Sequence, residues 1–175
     1  MRVLGAILAG GQARRFGSDK AHALYAGERL IDAVAAALSA QCEAVIVCGR
    51  EEAGFACIAD RPERGMGPLG GLNAALHHAQ DHGFDGVLSA GVDIPDLPHD
   101  LAQTLSGTGS AIVQSQPVVG LWPVTLAGTL QDYLTEGGRA LYGFADHVSA
   151  RKITFDPPLM NVNRPEDLPL DLPPG

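Results

Sequence analysis

The chain is poor in three things, and each shortage narrows its chemistry. It has only three cysteines in 175 residues, Cys42, Cys48 and Cys57, too far apart for a C-x-x-C pair and odd in number. Neither a zinc site nor a disulfide framework is suggested, and reduced thiols of a cytoplasmic protein are the expectation. Cations are scarce as well: 12 Lys and Arg stand against 20 Asp and Glu, a formal net charge of -8. That balance argues against a general nucleic-acid surface, which works by neutralising many phosphates with basic side chains. Any anionic ligand must be met locally. Long apolar runs are missing too, since no stretch approaches the roughly 20 residues a membrane span requires. The opening MRVLGAILAGG is short and passes directly into Gly10, Gly11, Arg14 and Arg15 instead of a small-residue cleavage site, so it reads as a strand and not as a signal peptide.

What remains is a turn-rich globular composition, 46% hydrophobic with 22 Gly and 12 Pro. Arg2 to Leu8 is a continuous apolar run closed by glycines, the pattern of a parallel strand covered on both faces. From Glu28 to Gln41, Leu30, Ile31, Val34, Ala37 and Leu38 recur at helical spacing, and Ala44 to Cys48 follows as a β-branched run. Further strands are predicted over Ala56 to Ala59, Gly86 to Ala90, Ser110 to Gln114, Val118 to Trp122 and, at an edge, Lys152 to Phe155. Helices are predicted over Leu69 to His82, Asp96 to Leu105, Thr125 to Thr135 and Arg139 to Val148. The alternation implies one doubly wound, mostly parallel α/β sheet with helices on both faces, and a ligand site at the carboxyl ends of its strands. Residues 1–168 form the expected domain, with 169–175 a proline-rich tail.

Three segments carry chemistry. In Leu8-Ala-Gly-Gly-Gln-Ala-Arg-Arg-Phe-Gly-Ser-Asp-Lys20 a glycine loop leaves the first strand. Without a Cβ at Gly10 and Gly11, backbone N–H groups can approach phosphate oxygens closely. Arg14, Arg15 and Lys20 are 3 of the 12 basic residues, placed within seven positions. Together they suit a polyphosphate cradle; a tight turn with a solvated basic face is the plain alternative. It is not a Walker A loop, because Ser18-Asp19-Lys20 follows Gly17 where Lys-Ser/Thr is needed.

The second segment runs from Asp60 through Gly-Met-Gly-Pro-Leu-Gly-Gly71, an acidic strand end before a glycine loop that enters a helix. Gly65, Gly67 and Gly70 satisfy G-x-G-x-x-G, but Arg61 to Arg64 separate them from their strand, so the match to a dinucleotide fingerprint is formal. In the third, Val87-Leu-Ser-Ala-Gly-Val-Asp93-Ile-Pro95, a strand delivers a carboxylate to its carboxyl end. That is what Mg needs, since it normally takes one or two protein carboxylates and fills its remaining sites with phosphates and water. A capping Asp before a Pro-rich turn is the alternative reading. Asn163, two residues before Pro165, reads as the cap of a short terminal helix. His77, His78 and His82 share one predicted helix, with no H-E-x-x-H pattern or third ligand to make them a metal site. No G-x-S-x-G elbow points to acyl transfer.

The order of these motifs resembles the MobA-type molybdenum cofactor guanylyltransferases, whose signature is L-A-G-G-x-x-x-R-M-G-x-x-D-K. Phe16 here replaces Met, and one residue fewer precedes Asp19. Leu-Ala-Gly-Gly is more similar to the guanylyl branch than to the Leu-Ala-Ala-Gly of the cytidylyl branch. The resemblance implies transfer of GMP from GTP to the terminal phosphate of molybdopterin, with Mg as cofactor and molybdoenzymes or their chaperones as further partners. It assigns nucleotide binding to Leu8, Ala9, Gly10, Gly11, Lys20, Asp60, Pro68, Leu69 and Asp93. Arg15, Lys20 and Asp93 are its catalytic group, and Asp93 and Asn163 its metal ligands. Where the family often carries Asn after the second strand of the sheet, this chain has Cys48-Gly49-Arg50. Other readings stay open: CTP or a sugar phosphate as substrate, a dinucleotide-dependent oxidoreductase using Gly65, Gly67 and Gly70, or a noncatalytic nucleotide sensor.

Overall fold

A computed structural model describes residues 1–10 and 20–162 of the chain. β1 (Val3–Leu8) is buried along its whole length, and its side chains alternate between two cores. Val3 and Ile7 face one layer, Leu4, Ala6 and Leu8 the other, as the twofold period of a strand requires. α1 (Leu30–Ser39) packs Ile31, Val34 and Leu38 against the first face. β4 (Ala44–Cys48) and β5 (Ala56–Ile58) extend the sheet beyond β1, after a small hairpin of β2 (Leu24–Tyr25) and β3 (Glu28–Arg29). α2 (Gly67–Asp81) crosses to the opposite face with Leu69, Leu72 and Leu76, and β6 (Gly86–Ala90) returns to the other side of β1. Each large aliphatic side chain buried here contributes about 1.5–3 kcal/mol by leaving water.

The remainder follows as α3 (Leu101–Leu105), β7 (Ala111–Val113), β8 (Gln116–Pro123), α4 (Ala127–Thr135), α5 (Leu141–His147) and β9 (Arg151–Ile153). The seven-stranded order is β5-β4-β1-β6-β8-β7-β9, and β8 alone runs against its neighbours. α1 and α3 cover one face and α2, α4 and α5 the other, which is the doubly wound α/β sheet expected from the alternation. No helix of the described residues is long and apolar enough to cross a membrane.

Two helix boundaries differ from the sequence reading, each for a local reason. The first helix starts at Leu30 and not at Glu28, because Glu28 and Arg29 pair with Tyr25 and Leu24. Ala26 and Gly27 both take positive φ, 52° and 82°, the geometry a two-residue hairpin loop demands. The helix predicted from Asp96 forms only over Leu101–Leu105. Pro98 disfavours helical geometry at the residue before it, so the chain between Pro95 and Asp100 stays irregular. β7 and β8 form an antiparallel hairpin with a register shift between Ile112 and Val113. β9 pairs with β7 alone and is the edge strand foreseen.

Candidate functional site

Sheet register decides which residues meet. Leu8 pairs with Cys48 and Cys48 with Ile58, while on the other side Ile7 pairs with Ala90. Four parallel strands therefore end at nearly one level, and the residues just beyond them, 9–10, 49–50, 59–60 and 91–93, line up along one edge. This is the edge where open α/β sheets bind their ligands.

The exit of β1 is held very close to that of β4. Ala9 N donates to Cys48 O at 3.0 Å, and Gly49 N donates to Ile58 O at 2.9 Å. A Cβ on Gly10 would lie 3.1 Å from Gly49 Cα. One on Gly49, whose φ is +90°, would lie 2.7 Å from Gly10 Cα and 3.0 Å from Asp60 Oδ1. Backbone thus approaches backbone at a point where two side chains could not fit. Lys20 opens a 3₁₀ turn, Lys20–His22, at the far end of the glycine loop. Gly11, Arg14 and Arg15 lie outside the described residues, as does Asn163.

Asp60 sits where Gly49, Gly70 and Gly71 converge. A Cβ on Gly70 would come within 3.1 Å of Asp60 Cβ, and one on Gly71 within 3.6 Å of its Oδ1. The Met66 N–H donates to Asp60 Oδ2 at 3.3 Å, and Arg61 N to Gly70 O at 3.1 Å. Burial pushes the Asp60 carboxyl above the ordinary range, and the Met66 and Gly65 backbone N–H groups pull it partly back. Gly65, in the loop before α2, and Gly70, in its first turn, thus brace Asp60, while Gly67 opens the helix. Pro68 lies in the first turn of α2. Leu69 is fully buried in the core, which leaves its main chain to meet any ligand.

A cavity of about 110 Å³ opens beside Asp60, lined by Gly49, Arg50, Ile58, Ala59 and Arg64 among others. Where the resembled family often carries Asn, Gly49 is therefore committed to the close approach and Arg50 reaches the cavity. Cys48 does not substitute as a ligand-facing group: it is fully buried, packed against Gly71, and its thiol is pushed up by burial and by Asp60. Glu52, on the loop beyond, is buried at 7% exposure, and nothing in an acidic surface-loop pattern signals that.

Asp93 stands past the end of β6. Its Oδ2 accepts from Asn161 Nδ2 at 3.1 Å, its backbone O accepts from Val162 N at 2.6 Å, and Oδ1 occupies the space a Cβ on Gly91 would fill. Gln116 Nε2 donates to Asn161 Oδ1, which fixes the Asn161 amide with its NH₂ toward the carboxylate. The Asn-Val-Asn segment does reach Asp93, but the described contact is Asn161. The sequence reading named Asn163, which lies outside the described residues, and did not single out Asn161. Among the described residues no group of three or more His, Cys, Asp or Glu could hold a metal alone. A single carboxylate is compatible with Mg shared with a polyphosphate, which takes most of its ligands from phosphates and water, and not with a closed all-protein cage. His78 and His82 stack on each other with ring centroids 4.1 Å apart on α2.

Residues 5–150 match the model of the MobA-like NTP transferase domain. The chain is 37% identical over 182 residues to a molybdenum cofactor guanylyltransferase of Cereibacter sphaeroides, covering 96% of this chain and 94% of the relative. A protein of the same description from Rhodobacter capsulatus is 35% identical over 179 residues with the same coverage, 96% and 94%. Among solved structures, the molybdopterin-guanine dinucleotide biosynthesis protein A of Archaeoglobus fulgidus superimposes with a TM-score of 0.75 at 21% identity, covering 95% of this chain and 94% of that one. A 2-C-methyl-D-erythritol 4-phosphate cytidylyltransferase of Thermus thermophilus shares the fold at a TM-score of 0.69 and 14% identity, with 95% and 94% covered. With the first relative matched almost end to end and the domain model spanning the strands that build the site, the chain belongs to the MobA-like NTP transferase family.

Proposed function

We propose that this protein transfers GMP from GTP to the terminal phosphate of molybdopterin and releases pyrophosphate. The observation that carries the reading is the common edge at which Leu8 to Gly10, Asp60 and Asp93 converge from three different strand ends. The guanylyl branch and the molybdopterin acceptor rest on the relatives named above and on the Leu-Ala-Gly-Gly form of the loop.

The triphosphate lies along the loop that leaves β1, met by the main-chain N–H of Gly10 and the charge of Lys20; the family resemblance adds Gly11 and Arg15, which lie outside the described residues. The base end lies toward Asp60, Pro68 and Leu69 and the neighbouring cavity. An oxygen of the acceptor phosphate attacks the α-phosphorus, the bond to the β-phosphate oxygen breaks, and pyrophosphate departs. No protein nucleophile is needed, so the residues act by positioning and by stabilising charge as it develops. Asp93, with Asn163, would hold a Mg ion, which neutralises phosphate oxygens when bound. Asn161 and Gln116 hold the Asp93 carboxylate in one orientation.

The test is to incubate the protein and Mg with molybdopterin and each of ATP, CTP, GTP and UTP, scoring the dinucleotide and pyrophosphate formed. GTP-dependent product with little from CTP is expected. Preferential CTP use, or pyrophosphate released with a sugar phosphate and not with molybdopterin, would replace the reading with another transferase.

A further inference from the structure

Glu52 is a carboxylate with 4% of its side chain exposed, held by Arg50 of its own loop and by His22 and Arg29, which are remote from it in the chain. His22 Nε2 lies 2.7 Å from its Oε1 and Arg29 Nη1 3.5 Å from the same oxygen, while Arg50 Nη2 lies 3.2 Å from Oε2. Glu52 N also donates to Cys57 Sγ on β5 at 3.1 Å, pinning this loop to the sheet. Burying a carboxylate is costly unless its oxygens are well paired, and a site that keeps one gains fixed geometry more than stability. Arg29 is shared with Asp32 through two hydrogen bonds of 2.7 and 3.1 Å, and His22 and Arg50 make the shorter contacts to Glu52, at 2.7 and 3.2 Å.

Both of those partners adjoin the proposed nucleotide site. His22 belongs to the same 3₁₀ turn as Lys20, and Arg50 lines the cavity beside Asp60. We infer that Glu52 is a positioning residue for the nucleotide: by clamping His22 and Arg50 together it sets the distance between the Lys20 turn, at the phosphate end, and the Asp60 cavity, at the base end. The inference rests on the nucleotide reading given above. Without the clamp, the two ends are still present but no longer held at a separation that matches one ligand, so binding loses the benefit of preorganisation.

The experiment is a double-mutant cycle of Glu52→Gln and His22→Gln, read as the dissociation constant of GTP by calorimetry, with unfolding midpoints measured in parallel and Lys20→Ala as the control. Residues in one ion-pair network couple strongly, so Glu52→Gln is expected to weaken GTP binding about tenfold and the double variant hardly further. The acceptor KM of the Glu52→Gln enzyme should stay near wild type. A purely structural role would lower the unfolding midpoint while the folded fraction binds GTP normally, and that result overturns the inference. Additive effects of the two changes overturn it as well. Should Glu52→Gln fail to fold, His22→Gln decides alone, since His22 is half exposed, and unchanged GTP affinity there refutes the clamp. If Lys20→Ala weakens GTP while Glu52→Gln does not, only the clamp falls; if Lys20→Ala has no effect, the nucleotide reading falls and the clamp with it.

Discussion

Replacing Gly49 with alanine tests the close approach on which the site geometry depends, and the structure supplies its own control. Gly49 has φ +90° and its added Cβ would sit 2.7 Å from Gly10 Cα and 2.9 Å from Gly10 N. Gly54 has nearly the same φ, +89°, and its Cβ would meet nothing within 4 Å. A non-glycine residue held in that region costs about 1–3 kcal/mol, and both variants incur it. Only Gly49→Ala must also push backbone aside, an overpacking penalty of about 1–3 kcal/mol. Gly49→Ala should therefore lose about 2–6 kcal/mol in all, with the excess over Gly54→Ala measuring the Gly10 contact. Urea unfolding with an unchanged slope reads both values. In the folded fraction, Gly49→Ala should also weaken GTP binding, because relieving the clash moves either Gly10 or Asp60. Equal losses for the two variants would mean that the β1 and β4 exits have room to spare. An unfavourable Gly49→Ala that binds GTP normally would remove Gly10 and Asp60 from the site.

Three further outcomes follow from the geometry. Lys20→Ala and Asp93→Ala should each reduce nucleotidyl transfer on the order of 10²-fold, the usual effect of removing one preorganised charge; if both fold, as circular dichroism can show, and retain near-wild-type pyrophosphate release, the catalytic assignment is wrong. Burial raises the Asp60 carboxyl above its unfolded value, so its favourable contribution is complete below the unfolded carboxyl range and is lost as pH rises through the folded pKa. Wild type should accordingly gain stability over Asp60→Asn as pH falls from neutral into the carboxyl range, and a difference curve that is flat or rises with pH contradicts the burial argument. Leu72 is fully buried between α2 and the sheet, so Leu72→Ala should cost about 2–5 kcal/mol; its GTP affinity, measured on folded protein, should not change, and a large change would show that the α2 core and the site are coupled.

What could be read from the sequence was whatever has a period or a punctuation mark. β1, β4 and β6 are buried on both faces and so are continuous apolar runs, while α1 and α2 show helical spacing closed by Gly83 or by the following strand. Asp60 and Asp93 could be placed near the strand ends from the sequence because only one and two residues separate them from the apolar runs of β5 and β6. The β2–β3 hairpin was not, since two-residue strands have no period and Ala26 takes a positive φ that nothing in its side chain announces. Glu52 was illegible for a different reason. A carboxylate survives burial only through partners, and His22, Arg29 and Arg50 lie 30, 23 and 2 positions away in the chain. The contact of Asn161 with Asp93 likewise depended on where the chain after β9 crosses the strand ends.

The surplus of negative charge bears on how such a chain can take a triphosphate at all. Several of its cations are already spent on internal partners: Arg2 on Glu43, Arg29 on Asp32, Lys152 on Asp146. The long-range field of a chain at -8 repels a polyanion, so attraction has to come from groups that act at contact distance. Main-chain N–H groups do this without carrying net charge, but only if phosphate oxygens come close, and that requires positions without a Cβ. The glycines at the strand exits and the cations that cluster in the sequence between Arg14 and Lys20 would then be two halves of one solution. Under the proposed function, backbone would make the near contacts and Lys20 would add charge, while Asp60 and Asp93 are the carboxylates that stand just beyond the strand ends.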